Sequence, residues 1–219
     1  MLKPALYLTL CLSAMPLAAQ EVVVIGDSIM DWNSPEESVP GQLAIALGVP
    51  VDNRAVGGAQ VNPGLIGKVL GTDIPAQLEG ATPDILVMTG GGNDFGEGCG
   101  CQLCDEVLDA LVAPDGSGDL GSFLKDQTQT IDQVIYLGYY APPIGGNAYS
   151  QCIPWLTEMD RRIATVADQT PGLTFVSAAE VIDPANQDLY DSDWVHPSPA
   201  GAALIGALLA DTIRALPAR

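Results

Sequence analysis

The stretch Val22-Val23-Val24-Ile25-Gly26-Asp27-Ser28-Ile29-Met30 decides the fold of this chain. Four consecutive β-branched residues predict a fully buried parallel strand, and the glycine, acid and serine that follow predict its abrupt end. Ligands of open α/β sheets bind just beyond the carboxyl ends of the strands, so the hydroxyl of Ser28 is placed for chemistry. A serine after a strand more often caps the next helix, and this stretch alone favours that role for Ser28.

The rest of the chain alternates between apolar runs, which predict strands, and amphipathic runs, which predict helices. After the first strand, further strands are predicted at 49–56, 83–89, 133–140 and 173–176. Helices are predicted to start at 33–37 and end at Gly48, and to lie within 62–79, 103–112, 120–130, 154–168 and 198–216. This alternation predicts an α/β fold of the flavodoxin-like, three-layer α/β/α type, with a five-stranded parallel sheet in the order 2-1-3-4-5.

Residues 1–19 have the pattern of a secretory signal peptide. Lys3 precedes an apolar run over 5–17, and Leu17-Ala18-Ala19 supplies small residues for cleavage near Gln20. The apolar run is too short to span a bilayer comfortably, so no stable membrane anchor is predicted. We therefore expect a secreted or periplasmic protein, with residues 20–219 forming one domain around a single core.

The composition limits the partners that this protein can have. Its formal net charge is −19, and a surface of that charge repels phosphate backbones and anionic headgroups. The charge therefore argues against nucleic acid and acidic membrane surfaces as partners. Because 47% of the residues are apolar and 16% are charged, the chain is globular rather than an acidic disordered segment. No pattern in the sequence indicates an oligomeric state.

Four cysteines remain once Cys11 is removed with the signal peptide: Cys99, Cys101, Cys104 and Cys152. An even number in an oxidising compartment predicts two disulfides, which can pair in three ways. A bond between Cys101 and Cys104 would close a tight ring, which favours Cys99 with Cys104 and Cys101 with Cys152. The rival interpretation is a metal site at Cys101-x-x-Cys104, but it needs reduced thiols, so no metal is predicted. The segment 95–103 is predicted to be a loop stapled by these cysteines.

One histidine is present in the whole chain, and a carboxylate precedes it by three residues, in Asp193-Trp194-Val195-His196. In a turn, this spacing lets Asp193 accept a hydrogen bond from Nδ1 of His196, which leaves Nε2 free to accept a proton. A lone histidine is usually structural or exposed. The presence of Asp193 three residues earlier favours a functional role for His196.

Polar features follow several predicted strands: Ser28 the first, Gly58 the second, Asn93 the third, and the Asp193 and His196 pair the fifth. The sheet topology would bring them to one edge, where a serine could act as a nucleophile with a histidine as its base. The backbone N–H groups of Ser28 and Gly58 and the amide of Asn93 are suitable donors to an oxyanion.

At this point the chain resembles the SGNH, or GDSL, hydrolase family. The resemblance rests on four blocks in the family's order: Gly26-Asp27-Ser28, 53–58, Gly91-Gly92-Asn93-Asp94 and Asp193-Trp194-Val195-His196. It implies that Ser28 is the nucleophile, His196 the base and Asp193 its orienting acid. It further implies an oxyanion hole formed by Ser28, Gly58 and Asn93, and structural roles for Asp27 and Asp94.

The resemblance implies a serine esterase that needs no cofactor, acting on a lipid, thioester or short-chain acyl ester. A carbohydrate O-acetylesterase or acetyltransferase, and a non-catalytic binding protein on the same fold, are the alternatives. Ile29-Met30-Asp31-Trp32 departs from the leucine-serine continuation common in the family's thioesterases, and the cysteine-bearing segment is not a general family feature. Both departures bear on the substrate rather than on the reaction.

Two further patterns have competing interpretations. The aromatic residues Trp32, Phe95, Tyr139, Tyr140, Tyr149 and Trp155 could line a pocket or pack in the core. The run Gly116-x-Gly118-x-x-Gly121 has the letters of a dinucleotide-binding motif, but a predicted helix precedes it where that motif needs a strand, so no dinucleotide cofactor is predicted.

Overall fold

The computed structural model describes residues 20–217, and the predicted signal peptide lies outside them. Five parallel strands within this range form one sheet: β1 Val22–Ile25, β2 Val51–Asn53, β3 Ile85–Met88, β4 Gln133–Gly138 and β5 Leu173–Ser177. Their order is β2-β1-β3-β4-β5, which confirms the predicted topology.

Helices cover both faces of the sheet, as the three-layer prediction requires. The α-helices within 20–217 are α1 Ser28–Asp31, α2 Val39–Leu47, α3 Leu65–Leu70, α4 Gly92–Cys99, α5 Asp105–Leu111, α6 Asp119–Gln127, α7 Ile153–Gln169 and α8 Pro199–Ala215. Successive residues of a strand point to opposite faces, so Val23 packs against one helical layer and Val24 against the other. The layer against Val23 contains α5, α6 and α7, and the layer against Val24 contains α1, α2 and α8.

The predicted start of α2 at 33–37 is wrong, because the helix begins at Val39. Ser38 is the residue before it, and its Oγ accepts a hydrogen bond from the N–H of Gly41 at 3.2 Å. Pro40 occupies the first turn, where a proline costs no helical hydrogen bond. The sequence thus offers two possible starts, Ser34-Pro35 and Ser38-Val39-Pro40, and the chain uses the second. Gly48 ends the helix in the left-handed region, as predicted.

The predicted loop at 95–103 is also wrong in part, since its first half belongs to α4. Phe95 is fully buried in the core, and this burial fixes the helix against the sheet. The disulfides are Cys99–Cys104 and Cys101–Cys152, which is the pairing favoured from the sequence. They join the end of α4 to the starts of α5 and α7.

No helix within residues 20–217 is long and apolar enough to cross a membrane. The same residues contain no cluster of three or more histidine, cysteine, aspartate or glutamate side chains that could hold a metal ion.

Candidate active site

The structure brings the three residues of the predicted triad into one hydrogen-bonded chain. His196 Nε2 lies 2.7 Å from Ser28 Oγ, and its Nδ1 lies 2.5 Å from Asp193 Oδ2. Ser28 and His196 are 168 positions apart in the sequence, so the sheet topology is what joins them. This arrangement can withdraw a proton from the serine hydroxyl and hold the resulting charge on the imidazole.

Ser28 is the first residue of α1 and not its cap. Asp27 holds the cap position, and its Oδ1 accepts a hydrogen bond from the N–H of Ile29 at 3.0 Å. Ile29 and Met30 are buried, which anchors the short helix to the core. The Ser28 hydroxyl is therefore free to bond to His196, and the interpretation of Ser28 as a helix cap is wrong.

The turn before α8 presents His196 and its acid together. Oδ1 of Asp193 accepts hydrogen bonds from the backbone N–H groups of Val195 and His196, at 2.9 and 3.0 Å. Burial raises the pKa of Asp193, but these hydrogen bonds and the imidazole outweigh burial and leave the pKa below its usual value. Asp193 is therefore a carboxylate at neutral pH, as an orienting acid must be.

Trp32 holds the imidazole from a second side. Its ring stacks on the ring of His196 with centroids 3.7 Å apart and planes 8° from parallel. The indole Nε1–H donates to Oδ2 of Asp191 at 2.5 Å, and this bond lowers the pKa of Asp191. Asp191 also donates its backbone N–H to the carbonyl of His196. The His196 imidazole, the Trp32 indole and Asp191 therefore form one local network.

The predicted oxyanion donors lie in the same cavity as Ser28 and His196. Gly58 has a φ of +75°, a conformation that glycine adopts without strain, and its N–H has no hydrogen-bond partner among residues 20–217. Asn93 donates one amide hydrogen to the carbonyl of Ala59 at 2.9 Å, and its Oδ1 accepts from the hydroxyl of Tyr149 at 3.0 Å. The second amide hydrogen of Asn93 is left for a ligand.

A buried hydroxyl ties the segment of Ser28 to the segment of Asn93. The Tyr139 hydroxyl donates to Oδ2 of Asp27 at 2.6 Å and accepts from the N–H of Gly92 at 2.9 Å. Burial raises the pKa of Asp27, and the hydrogen bond from Tyr139 opposes that rise. The relative positions of the serine and the asparagine therefore depend on one tyrosine.

Asp94 holds the segment after β2. Its two carboxylate oxygens accept from the N–H groups of Val61 and Asn62, at 3.0 and 2.8 Å. Burial raises the pKa of Asp94 to about 6 in spite of these bonds. Both acids next to the motif residues thus bond to backbone amides, as the sequence led us to expect.

The site opens into a cavity of about 380 Å³. Four of the six aromatic residues considered from the sequence line it: Trp32, Tyr139, Tyr140 and Tyr149. Phe95 lies in the core instead, and Trp155 packs against that core without lining the cavity.

Sequence reasoning missed several residues that support the site. Asp31 accepts a hydrogen bond from the N–H of Gly57 at 3.0 Å and so holds the turn that carries Gly58. Asn147 donates its side-chain amide to the carbonyl of Trp194 at 2.6 Å, beside the turn of His196. Asp31 lies three residues after Ser28, close enough to suspect from helical spacing, whereas nothing local marks Asn147 or Tyr139.

An α/β fold with a Ser-His-Asp chain at the carboxyl edge of its sheet defines a class of serine hydrolases. The model of the GDSL-like lipase/acylhydrolase family matches residues 24–204. The chain belongs to this family and is a serine hydrolase that acts on ester bonds. A comparison of the sequence with curated proteins finds no match.

Solved structures with the same fold include several esterases. An inhibitor-bound aryl esterase from M. smegmatis is 19% identical, with 91% of this chain and 100% of that chain covered and a TM-score of 0.63. A catalytic mutant of an acetylxylan esterase from Geobacillus stearothermophilus is 22% identical, with coverage of 90% and 94% and a TM-score of 0.61. A carbohydrate acetylesterase from Sinorhizobium meliloti is 16% identical, with coverage of 90% and 99% and a TM-score of 0.60.

Proposed function

We propose that this protein hydrolyses a carboxylic ester of a small molecule or glycan through an acyl-Ser28 intermediate. The observation that carries the proposal is the hydrogen-bonded chain from Ser28 Oγ through both nitrogens of His196 to Asp193. A serine hydroxyl needs a base within about 3 Å to become a nucleophile, and His196 Nε2 meets that requirement.

In the first half of the reaction, Ser28 Oγ attacks the ester carbonyl while His196 Nε2 takes its proton. The carboxylate of Asp193 stabilises the imidazolium that forms. His196 then gives the proton to the departing alcohol, which leaves Ser28 acylated. In the second half, His196 takes a proton from water as the water oxygen attacks the acyl carbonyl. His196 then returns that proton to Ser28 Oγ as the bond between Oγ and the acyl carbon breaks and the acid is released.

The oxyanion of each tetrahedral intermediate would be held by the N–H groups of Ser28 and Gly58 and by the free amide hydrogen of Asn93. Tyr149 and Ala59 hold the Asn93 amide in place before the substrate arrives, so little reorganisation is needed as charge develops. We expect Asn93→Ala to lower kcat by about 10²-fold or more, with a smaller change in KM.

Acetylated carbohydrate is a second candidate substrate class, hydrolysed by the same three residues. It is supported by two of the structural neighbours, an acetylxylan esterase and a carbohydrate acetylesterase. An acyl transfer to a sugar hydroxyl would use the same acyl-enzyme. A panel of acetylated glycans against longer acyl esters separates these substrates from lipid esters and thioesters.

We further propose that residues 1–19 direct export and that residues 20–219 are the mature enzyme. The two disulfides support an oxidising destination, because such bonds persist outside the cytoplasm. Mass spectrometry of the exported protein would show a mature amino terminus near Gln20, and retention of residues 1–19 would contradict this proposal.

The test of the activity is Ser28→Ala, assayed with 4-nitrophenyl acetate and with a fluorophosphonate label. Hydrolysis and labelling should both be lost while the far-UV circular dichroism is unchanged. Ser34→Ala is the matched control, because Ser34 is exposed and its hydroxyl donates one hydrogen bond, to the carboxylate of Glu37. Full activity in Ser28→Ala would remove Ser28 from its role, and an unlabelled, inactive wild type would favour a binding protein on this fold.

A further inference from the structure

Helix α3 turns an apolar face toward solvent. Four of its six residues are large aliphatic residues that are 71–86% exposed: Leu65, Ile66, Val69 and Leu70. None of the six residues is buried. A surface helix normally packs such a face against the core of its own protein. The orientation of α3 therefore indicates that a partner covers this face.

The four side chains form one contiguous patch, which we call the α3 face. A helix advances about 100° per residue, so they span roughly 140° of its circumference, with Gly67 and Lys68 on the opposite side. That opposite side rests on the chain, because a Cβ atom at Gly67 would lie 2.7 Å from Cβ of Pro63 and 2.9 Å from Oγ1 of Thr72. The helix is thus fixed with its apolar residues outward.

The α3 face differs from the other exposed apolar side chains of this protein. Within residues 20–217 those are separated from one another along the sequence: Ile45, Val56, Leu103, Ile144, Trp194 and Leu204. Single exposed apolar side chains are normal on a protein surface, whereas a contiguous patch of several marks an interaction site.

The segment that carries α3 is anchored beside the proposed active site. The N–H of Gln60 donates to the carbonyl of Thr72, and the N–H of Ile74 donates to the carbonyl of Gln60, both at 2.9 Å. These bonds close the base of the segment. The side-chain amide of Gln60 donates to the carbonyl of Asn93 at 3.3 Å. A surface bound to the α3 face is therefore held by a segment that contacts a proposed oxyanion donor.

A second copy of this chain fits the α3 face poorly. Four aliphatic side chains carry on the order of 400 Å² of apolar surface, about half of the roughly 800 Å² per partner that a stable protein interface buries. Each copy also has a formal net charge of −19, so two copies repel each other.

An anionic lipid surface fits it no better. Helices that bind anionic lipid carry several lysine or arginine residues beside their apolar face. α3 has only Lys68, which lines a surface cavity together with three acids, Asp73, Asp119 and Asp126. The net charge of the chain repels anionic headgroups as well. These charges favour an uncharged apolar surface as the partner.

We propose that the α3 face docks this protein on droplets of an uncharged lipid ester, whose molecules are then its substrate. This inference rests on the proposed function, since it makes the droplet the source of the ester cleaved at Ser28. A liquid apolar surface needs no complementary shape, and its attraction for a helix grows with the apolar area that the helix buries. A patch too small for a protein partner is therefore sufficient for a droplet.

The first experiment measures binding of Ser28→Ala to sonicated triolein droplets, which float on centrifugation and are not consumed by this variant. Adding Leu65→Gln and Val69→Gln should weaken binding at least tenfold, because burial of one such side chain already gives about that factor. Glutamine leaves the net charge unchanged. Ile45→Gln is the matched control, at an isolated exposed residue of α2, and should bind like its parent.

The second experiment measures hydrolysis with Ser28 intact, on emulsified tributyrin and on dissolved 4-nitrophenyl acetate. The double variant Leu65→Gln, Val69→Gln should lose at least tenfold on the emulsion and stay within twofold of wild type on the dissolved ester. Ile66→Gln with Leu70→Gln tests the same face independently and should give the same split. An equal loss on both esters would show that α3 only supports the fold, and would overturn the docking.

Other results would also overturn the proposal. Droplet binding that is unchanged in both double variants would remove the α3 face from any docking role. Tighter binding to phosphatidylcholine vesicles than to triolein would make a bilayer the partner. A dimer in analytical ultracentrifugation that is lost in the double variants, without droplet binding, would make a second copy the partner.

Flotation needs no catalysis, so it separates this inference from the proposed function. Droplet binding that depends on the α3 face, by a wild type that hydrolyses no ester, would support the docking surface and contradict the hydrolase. Hydrolysis of dissolved esters without any droplet binding would contradict the docking surface alone.

Discussion

Removing the Tyr139 hydroxyl tests whether one hydrogen-bonded bridge holds the segments of Ser28 and Asn93 together. Tyr139→Phe takes away a donor to Asp27 and an acceptor for the N–H of Gly92. The new ring cannot replace either bond. The Asp27 carboxyl and the Gly92 N–H both stay buried without the group they bonded to. A buried polar group left unpaired costs its full desolvation penalty.

The expected loss of stability depends on pH. A buried group left without its partner costs about 1–3 kcal/mol, and more when it is charged. Where the pH is low enough to keep Asp27 protonated we expect about 2 kcal/mol, because the group left unpaired is then neutral. Where Asp27 is ionised we expect about 4 kcal/mol, which for a domain of this size lowers Tm by roughly 8–16 °C.

The pKa of Asp27 determines whether the loss of stability grows or shrinks as the pH rises. Burial already raises this pKa above the usual value of 3.8, and the hydrogen bond from Tyr139 lowers it. Without Tyr139 the folded-state pKa rises further. Stability falls with increasing pH between the unfolded and folded pKa values, so the variant loses stability over a wider range than wild type.

Urea denaturation at pH 5 and pH 8 measures this effect, with kcat measured on the same samples. Tyr140→Phe is the matched control, since its hydroxyl makes one hydrogen bond, to the carbonyl of Val195 at 2.8 Å. It should cost about 1 kcal/mol with no dependence on pH. The reasoning would be refuted if Tyr139→Phe lowered the free energy of unfolding by less than 1 kcal/mol at pH 8, or by the same amount at both pH values.

Other predictions follow from the same geometry. Trp32→Ala should lower kcat about tenfold with little change in KM, because His196 loses the ring that holds it, and Trp32→Phe should recover most of the loss in steady-state assays. Replacing Cys101 and Cys152 by serine should cost about 4 kcal/mol in urea denaturation, since their bond closes a long loop with a sequence separation of 51. Asp160→Asn should gain stability over wild type as pH rises from 4 to 8, by about 1.4 kcal/mol per unit at most, because the pKa of Asp160 lies near 8 when folded.

The sheet and the hydrogen-bonded chain of Ser28, His196 and Asp193 could be predicted because their signals are local. A run of β-branched residues marks a strand without reference to the rest of the chain, and parallel strands bring their carboxyl ends to one edge. Asp193 and His196 are three residues apart, so a turn suffices to join them. The order of the strands then sets Ser28 beside His196.

The supporting residues could not be predicted because their contacts are distant in sequence. Tyr139 lies 112 positions from Asp27, and Asn147 lies 47 positions from Trp194. A tyrosine after a strand is equally suited to core packing, and only the packed structure shows which group its hydroxyl meets. The start of α2 was mispredicted for a different reason, since Ser34-Pro35 and Ser38-Val39-Pro40 both resemble helix starts and sequence alone does not rank them.

Buried carboxyl groups connect the stability of this fold with its chemistry. Asp27, Asp94 and Asp160 all lie near the carboxyl edge of the sheet, and burial raises the pKa of each. Asp27 accepts from Ile29 and Tyr139. Asp94 accepts from the N–H groups of Val61 and Asn62, before α3. These hydrogen bonds hold the site and offset part of the desolvation cost of both acids. Asp160 leaves one oxygen unused at the same edge. Since Oδ1 of Asp160 has no hydrogen-bond partner among residues 20–217, nothing there offsets the desolvation of that oxygen.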